Sequence, residues 1–164
     1  MVLHAGSSLE EGIALFLDHL FKERNYAEHT INSYRCDLRQ FARFLYPRVD
    51  NLQLPLKAVQ REQIVAFMAD LEEKNLKAST VVRKLAALRS LFRFLCREGA
   101  LAANPAVAIA APAVARSLPC YLPVEQVAQA IEAPLTERFT GVRNRAIMEV
   151  FYGGGIRLGE LVAL

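Results

Sequence analysis

The sequence predicts an all-α protein in two parts. Three observations carry that expectation. Apolar residues recur every three to four positions through roughly the first hundred residues. No strand-like alternation interrupts them. A stretch rich in proline and alanine, 102–123, then separates this region from a second, shorter run of helical pattern.

The first helix is announced by Ser7 or Ser8, each followed three residues later by Glu10 or Glu11, the pattern of a capping box. Leu9, Ile13, Phe16, Leu17, Leu20 and Phe21 then form one apolar stripe. The loop "NYAEH" leads to Thr30, a good N-cap type, and Ile31, Tyr34, Leu38, Phe41 and Leu45 repeat until Pro47 ends the second helix. "PRVDNLQLPL" reads as a loop. A third helix is expected from about Gln60 to Lys74, with Ile64, Phe67, Met68 and Leu71 inward. A fourth is expected from Thr80 to Gly99, a glycine well placed to stop it. The first part is thus a bundle of four helices, with a short fifth near 105–110. Beyond the linker, "PVEQVAQAIEA" and "RNRAIMEVFYGGG" read as two short helices, and "RLGELVAL" starts another.

The 164 residues, 53% of them hydrophobic, suffice for one ordinary domain or for a small domain plus part of a second. Three cysteines, Cys36, Cys96 and Cys120, lie far apart, a poor disulfide or zinc framework and consistent with reduced thiols in a cytoplasmic protein. "MVLHAGSSLEE" lacks the basic flank and apolar core of a signal peptide. The longest apolar run, 100–115, is broken by Pro105 and Pro112 and does not read as a membrane span. No metal or cofactor is expected.

The net charge of +3 decides little, but its distribution is organised. Arg35, Arg39 and Arg43 are spaced by four, one stripe on the second helix. The fourth helix carries Arg83, Lys84, Arg89, Arg93 and Arg97 with no acid before Glu98. Both helices begin with short polar side chains: Thr30, Asn32 and Ser33 in one, Ser79 and Thr80 in the other. Helix N-termini suit phosphates, and short polar groups there reach base edges. On one helix such a stripe would be read as a solvated face. Two helices with the same arrangement, and acids segregated to stretches such as "DLEEKN", point to a nucleic acid.

The run "FYGGGIRLGELVAL" first suggests a phosphate loop. It follows a helix rather than a strand, has Leu158 where GxGxxG needs glycine, and lacks Gly-Lys-Ser/Thr. It reads instead as a helix stop at Gly153 or Gly154, with a new helix starting near Arg157. The further glycines leave the backbone open to close approach, and Arg157 is suited to a bidentate grip on phosphate.

At these residues the sequence resembles the tyrosine site-specific recombinases, most closely the Xer recombinases and related phage-type integrases. "RNRAIMEVFYGGGIRLGELVAL" resembles the start of their catalytic domain, usually "RDrAll.lLYaTGLRvSELv.L". "HTINSYRCDLRQFARFL" resembles their second helix, and "KASTVVRKLAALRSLFRFLCREGALAANPA" their fourth helix with the "NP" after it. "APAVARSLPCYLPVEQV" resembles their interdomain linker. The resemblance implies a SAM-like core-binding bundle over 1–111, a linker over 112–120, and the first helices of a truncated catalytic domain over 121–164. It implies duplex DNA at a recombination site as a partner, and further recombinase protomers.

In that family a tyrosine attacks the scissile phosphate to give a 3′-phosphotyrosine, and two arginines, a lysine and His or Trp residues stabilise the phosphorane. Arg157 matches the first of these arginines and Glu160 an acidic residue that supports it. Thr30, Tyr34, Arg35, Arg39, Ser79, Thr80, Arg83, Lys84 and Arg89 fall on helices that face DNA. Tyr34 serves core packing equally well, since it lies on the apolar stripe. The lysine, the HxxR box and the nucleophile have no match, because all five tyrosines precede Arg157. The threonine of "TGLR" is Gly154 and the usual serine is Gly159. The expectation is therefore a truncated recombinase that binds DNA but does not cleave it, with apolar residues of 121–164 lacking part of their core. A stand-alone DNA-binding module or competitor at recombination sites is the alternative. A helical protein-interaction domain is the third reading.

Overall fold

The capping box written into the N-terminal serines sets the first helix. In a computed structural model, α1 spans Leu9–Lys22. Ser8 accepts from the Glu11 amide and Glu11 accepts from the Ser8 amide, so two exposed N–H groups of the first turn are satisfied. The structure describes residues 6–46, 55–115, 118, 121–134 and 137–164; all are helix, turn or irregular segments apart from an isolated bridge between Ser8 and Pro55. The expected stop at Pro47, most of the loop after it, Cys120 and part of the expected linker lie outside the described residues.

The chain divides into two compact units, Met1–Ala115 and Arg116–Leu164. In the first, α1 is followed by α2 (Glu28–Leu45), a one-turn 3-10 helix (Leu56–Ala58), α3 (Arg61–Glu73) and α4 (Ala78–Arg97). α2 starts earlier than Thr30: Ala27 occupies the N-cap without a side-chain bond, and the Thr30 amide donates to the Ala27 carbonyl. The charge of Glu28 at the helix N-terminus favours that earlier start. α4 likewise starts at Ala78, with Lys77 as N-cap, which puts Ser79 and Thr80 inside the first turn. Gly99 takes the left-handed conformation (φ 75°) just past the α4 C-cap, as expected of it. No fifth helix forms in the region after α4; residues 105–108 are a turn. Its polar backbone groups are claimed by Arg89 and Asn104 instead.

α1, α2, α3 and α4 meet over one core, in which Phe16, Phe41, Phe67, Phe92, Leu38 and Leu91 are almost fully enclosed. Phe16 contacts the rings of Tyr34 and Phe94, at 5.8 and 5.6 Å between centroids. The expected inward faces hold, with one exception: Phe21, placed on the α1 stripe, is 60% exposed. The 3-10 turn docks on the start of α1, where the Leu56 amide donates to the Ser7 carbonyl at 3.0 Å. Gly12 leaves room for this docking, since a Cβ there would crowd a Leu56 methyl at 3.0 Å and a Leu95 methyl at 3.2 Å.

The second unit holds α5 (Val124–Glu132), α6 (Phe139–Gly154) and α7 (Leu158–Val162). α6 starts before Arg143 and runs through both glycines expected to end it; Gly155, at φ 58°, is the stop. α5 and α6 pack together, and Leu122, Val127, Ile131, Met148, Phe151 and Tyr152 line an open apolar depression on the pair. None of the described apolar side chains in this unit is buried.

Candidate nucleic-acid interface

Helical spacing alone aligns Arg35, Arg39 and Arg43 on α2. With Asn32, Cys36 and Gln40 they line a shallow surface depression that contains no carboxylate. Arg35 donates from Nη1 to the Asn32 side-chain oxygen. Arg39 and Arg43 are exposed and form no ion pair with any described residue. Glu10, Asp18 and Glu28 line the groove on the other side of Arg35 and Arg39 without pairing with them, and an unpaired row of guanidinium groups favours an anion that follows the helix face.

The basic residues of α4 do not form the matching stripe that was expected. The missing acid comes from α2. Asp37 is 3% exposed, and its carboxylate receives Lys84 Nζ at 2.7 Å and Arg83 Nη1 on the other oxygen. Lys84 also donates to Gln40 Oε1 at 2.7 Å and is itself 5% exposed. Burying that ammonium away from water is costly unless it is paired, and here it is paired within the bundle. Lys84 therefore offers no free charge to a ligand. Arg89 is half-buried and donates to the carbonyls of Ala106 (3.2 Å) and Ile109, so it holds chain rather than solvent. Arg83 differs: its side chain is 51% exposed while one edge is held by Asp37. Ser79 is exposed and Thr80 half-buried on the first turn of α4. On α2, Thr30 is half-buried and the Tyr34 ring packs edge-on against Phe16.

Charge read along each helix alone leaves Arg83 and Lys84 without a partner and does not single out Asp37. The signal was present. Asp37 sits between Tyr34 and Leu38 on the inner face of α2, and Lys84 lies three residues after Val81 and four before Leu88 on that of α4. An acid and a lysine on two facing apolar stripes can be buried only as a pair.

In the second unit, Gly155 turns the chain so that Arg157 becomes the N-cap of α7. Glu160 holds it twice: the Arg157 amide donates to Oε2 at 2.8 Å and Nη1 donates to Oε1 at 3.2 Å. The expected Arg157–Glu160 pair thus forms, through backbone and side chain together. The Arg157 side chain is 87% exposed, and the Cβ directions of Gly153 and Gly155 meet nothing within 4 Å. Beyond Glu160, no described residue accepts a hydrogen bond from the Arg157 guanidinium. Among the described residues no cluster of His, Cys, Asp and Glu could hold a metal, and no helix is long and apolar enough to cross a membrane.

Residues 13–99 match the family model "Phage integrase, N-terminal SAM-like domain". The chain is 42% identical over 149 residues to tyrosine recombinase XerC of Natranaerobius thermophilus, covering 91% of this chain and 49% of that protein. It is 39% identical over 160 residues to XerC of Roseiflexus castenholzii, covering 95% and 49%. The chain spans about half the length of these curated relatives. Among solved structures it is similar to a lambda integrase dimer bound to a COC' core site (TM-score 0.67, 19% identity, 93% of this chain and 40% of that one). It is similar also to a lambda integrase tetramer bound to a Holliday junction (TM-score 0.69, 19% identity, 94% and 41%). At that identity these two speak for the fold.

Proposed function

Since the chain belongs to the phage integrase N-terminal SAM-like family, we propose that residues 1–111 are the duplex-binding unit of a site-specific tyrosine recombinase and that 121–164 open its catalytic domain. The observation that carries this reading is the row Arg35, Arg39 and Arg43 along one helix, half-buried at Arg35 and exposed at the other two, none of them in an ion pair with a described residue. Its charges bind the phosphate backbone, and exposed polar groups on the first turns of α2 and α4 lie where base edges can be reached. The XerC relatives are recombinases, and the lambda integrase neighbours are described on a core site and a Holliday junction. These support DNA as the ligand and further protomers as partners.

In the intact enzyme Arg157 contributes two donors to a non-bridging oxygen of the scissile phosphate, where charge builds up during attack. Glu160 keeps that guanidinium from folding back, through the two bonds described above. The attacking tyrosine is not among these residues, since every tyrosine precedes Arg157. The 164-residue chain by itself binds and does not cleave. A labelled duplex titrated with the chain at rising salt tests the binding. The three α2 arginines contribute about −3 to the slope of log K against log salt. Absent or salt-insensitive binding would overturn the reading. A covalent adduct on a nicked recombination site would overturn the claim that these residues do not cleave.

A further inference from the structure

Asp37, Lys84 and Arg83 form one ion-pair cluster across α2 and α4. One carboxylate, 3% exposed, takes two cations from the neighbouring helix, one of them buried and one at the surface. A buried ion pair is poor evidence for stability, because well-packed apolar residues would serve the core as well or better. What the cluster does supply is geometry. Lys84 satisfies one oxygen of Asp37, so the other is left for Arg83. Gln40 accepts from the same lysine and also lines the basic depression on α2. Gln40 is thus the one residue that joins the cluster to the residues lining that depression.

Deepening the DNA-binding reading and resting on it, we propose that Asp37 is a positioning residue for the interface: it holds Arg83 by one edge of the guanidinium and so adds a fixed phosphate contact from α4 to the α2 row. A guanidinium on a free stem loses rotamer entropy each time it binds; one already held by a carboxylate loses less. Its remaining donors, half-exposed, stay available.

Simple charge arithmetic predicts the opposite of this role. Asp37→Asn removes a negative charge near DNA, and by Coulomb's law alone should tighten binding. Positioning predicts that it weakens it. The experiment measures the affinity of the 164-residue chain for a mixed-sequence, fluorescein-labelled duplex at several salt concentrations, for the parent, Asp37→Asn, Arg83→Ala and the double variant. The expected results are that Arg83→Ala lowers the salt slope by about 1, and that Asp37→Asn weakens binding on the order of tenfold, the worth of one charge-assisted contact. In the Arg83→Ala background Asp37→Asn should add nothing.

Unchanged or tighter binding by Asp37→Asn overturns the proposal. So does a loss that persists undiminished in the Arg83→Ala background, which would mark a general effect on the fold. Asp37→Asn leaves Lys84 buried and unpaired, so its circular dichroism is recorded first. If it does not fold, Asp37→Asn/Lys84→Met removes both buried charges and is judged by the same criteria. A parent chain without salt-dependent binding sinks the DNA-binding reading itself. A parent that binds while Asp37→Asn has no effect sinks only the role given to Asp37.

Discussion

The side-chain amide of Asn104 donates to the backbone carbonyl of Arg89 at 3.1 Å, so a residue beyond the end of α4 is tied to the middle of that helix. Arg89 returns the favour to the same segment through the carbonyls of Ala106 and Ile109. Asn104 also accepts from the Ala106 amide at 2.9 Å, closing the turn. The segment has no helix or sheet ladder to satisfy its backbone, and these side chains take that part. Asn104→Ala is therefore expected to cost about 1–3 kcal/mol in urea unfolding of the chain, since it strands part-buried polar groups. Arg89→Ala should cost a similar amount and leave the salt slope of duplex binding unchanged. A slope that falls with Arg89→Ala would return that residue to the interface.

Ser8 and Glu11 cap α1 reciprocally. Ser8→Ala should destabilise the first unit by roughly 1 kcal/mol and Ser8→Asp by much less, because aspartate caps as well as serine does. Thermal unfolding followed by circular dichroism separates the two. Equal loss in both variants would mean that the hydroxyl, rather than the cap, matters.

The exposed arginines of α2 and the buried lysine of α4 should separate cleanly in binding. Arg39→Ala and Arg43→Ala are each expected to lower the salt slope by about 1 while leaving the unfolding midpoint nearly unchanged. Lys84→Ala should do the reverse, costing about 3–5 kcal/mol by leaving Asp37 buried with one partner fewer. Anisotropy titration and urea unfolding on the same preparations check both halves.

Loss of solvation raises the Cys96 thiol above its ordinary 9.0, whereas Cys36 is exposed. In a chain carrying Cys120→Ser, a thiol reagent at pH 8 should modify Cys36 well before Cys96. The raised value also has a consequence for stability. The folded chain keeps the Cys96 proton at a pH where the unfolded chain has lost it. Its contribution to stability is thus fully present below the unfolded value and is lost as pH rises through the folded one. Cys96→Ala should flatten the decline in unfolding free energy above pH 9.0. A decline of unchanged steepness would exclude the thiol as its source.

Much of this architecture is legible in the sequence because it is local. Apolar spacing identifies the inner faces of α1 through α4, and Ser8 with Glu11, or Arg157 with Glu160, are partners three residues apart that a single turn brings together. What was misread depends on contacts between distant segments. Lys84 counts as a free charge until Asp37 is seen across from it, and Arg89 until the turn at 105–108 folds back onto it. Thr30 was expected as a cap because its chemistry suits one, yet the chain turns helical two residues sooner and makes the position interior. Phe21 fits the α1 stripe by spacing but lies near the end of the helix, where it lines the outer wall of a groove with Ile31 and Arg35 of α2.

The packing of α1 on α4 sets a delay on synthesis. His19 stacks on Phe94 at 5.1 Å and meets Arg97 across 78 residues of sequence. A ribosome adding about 5–20 residues per second needs roughly 4–16 s to make that interval. Throughout it, the nascent α1 carries Leu9, Phe16 and Leu20 with nothing from α4 to cover them. Chaperone occupancy on stalled nascent chains should therefore drop only once α4 has cleared the exit tunnel, and the closing of this bundle is paced by translation rather than by the search for its contacts.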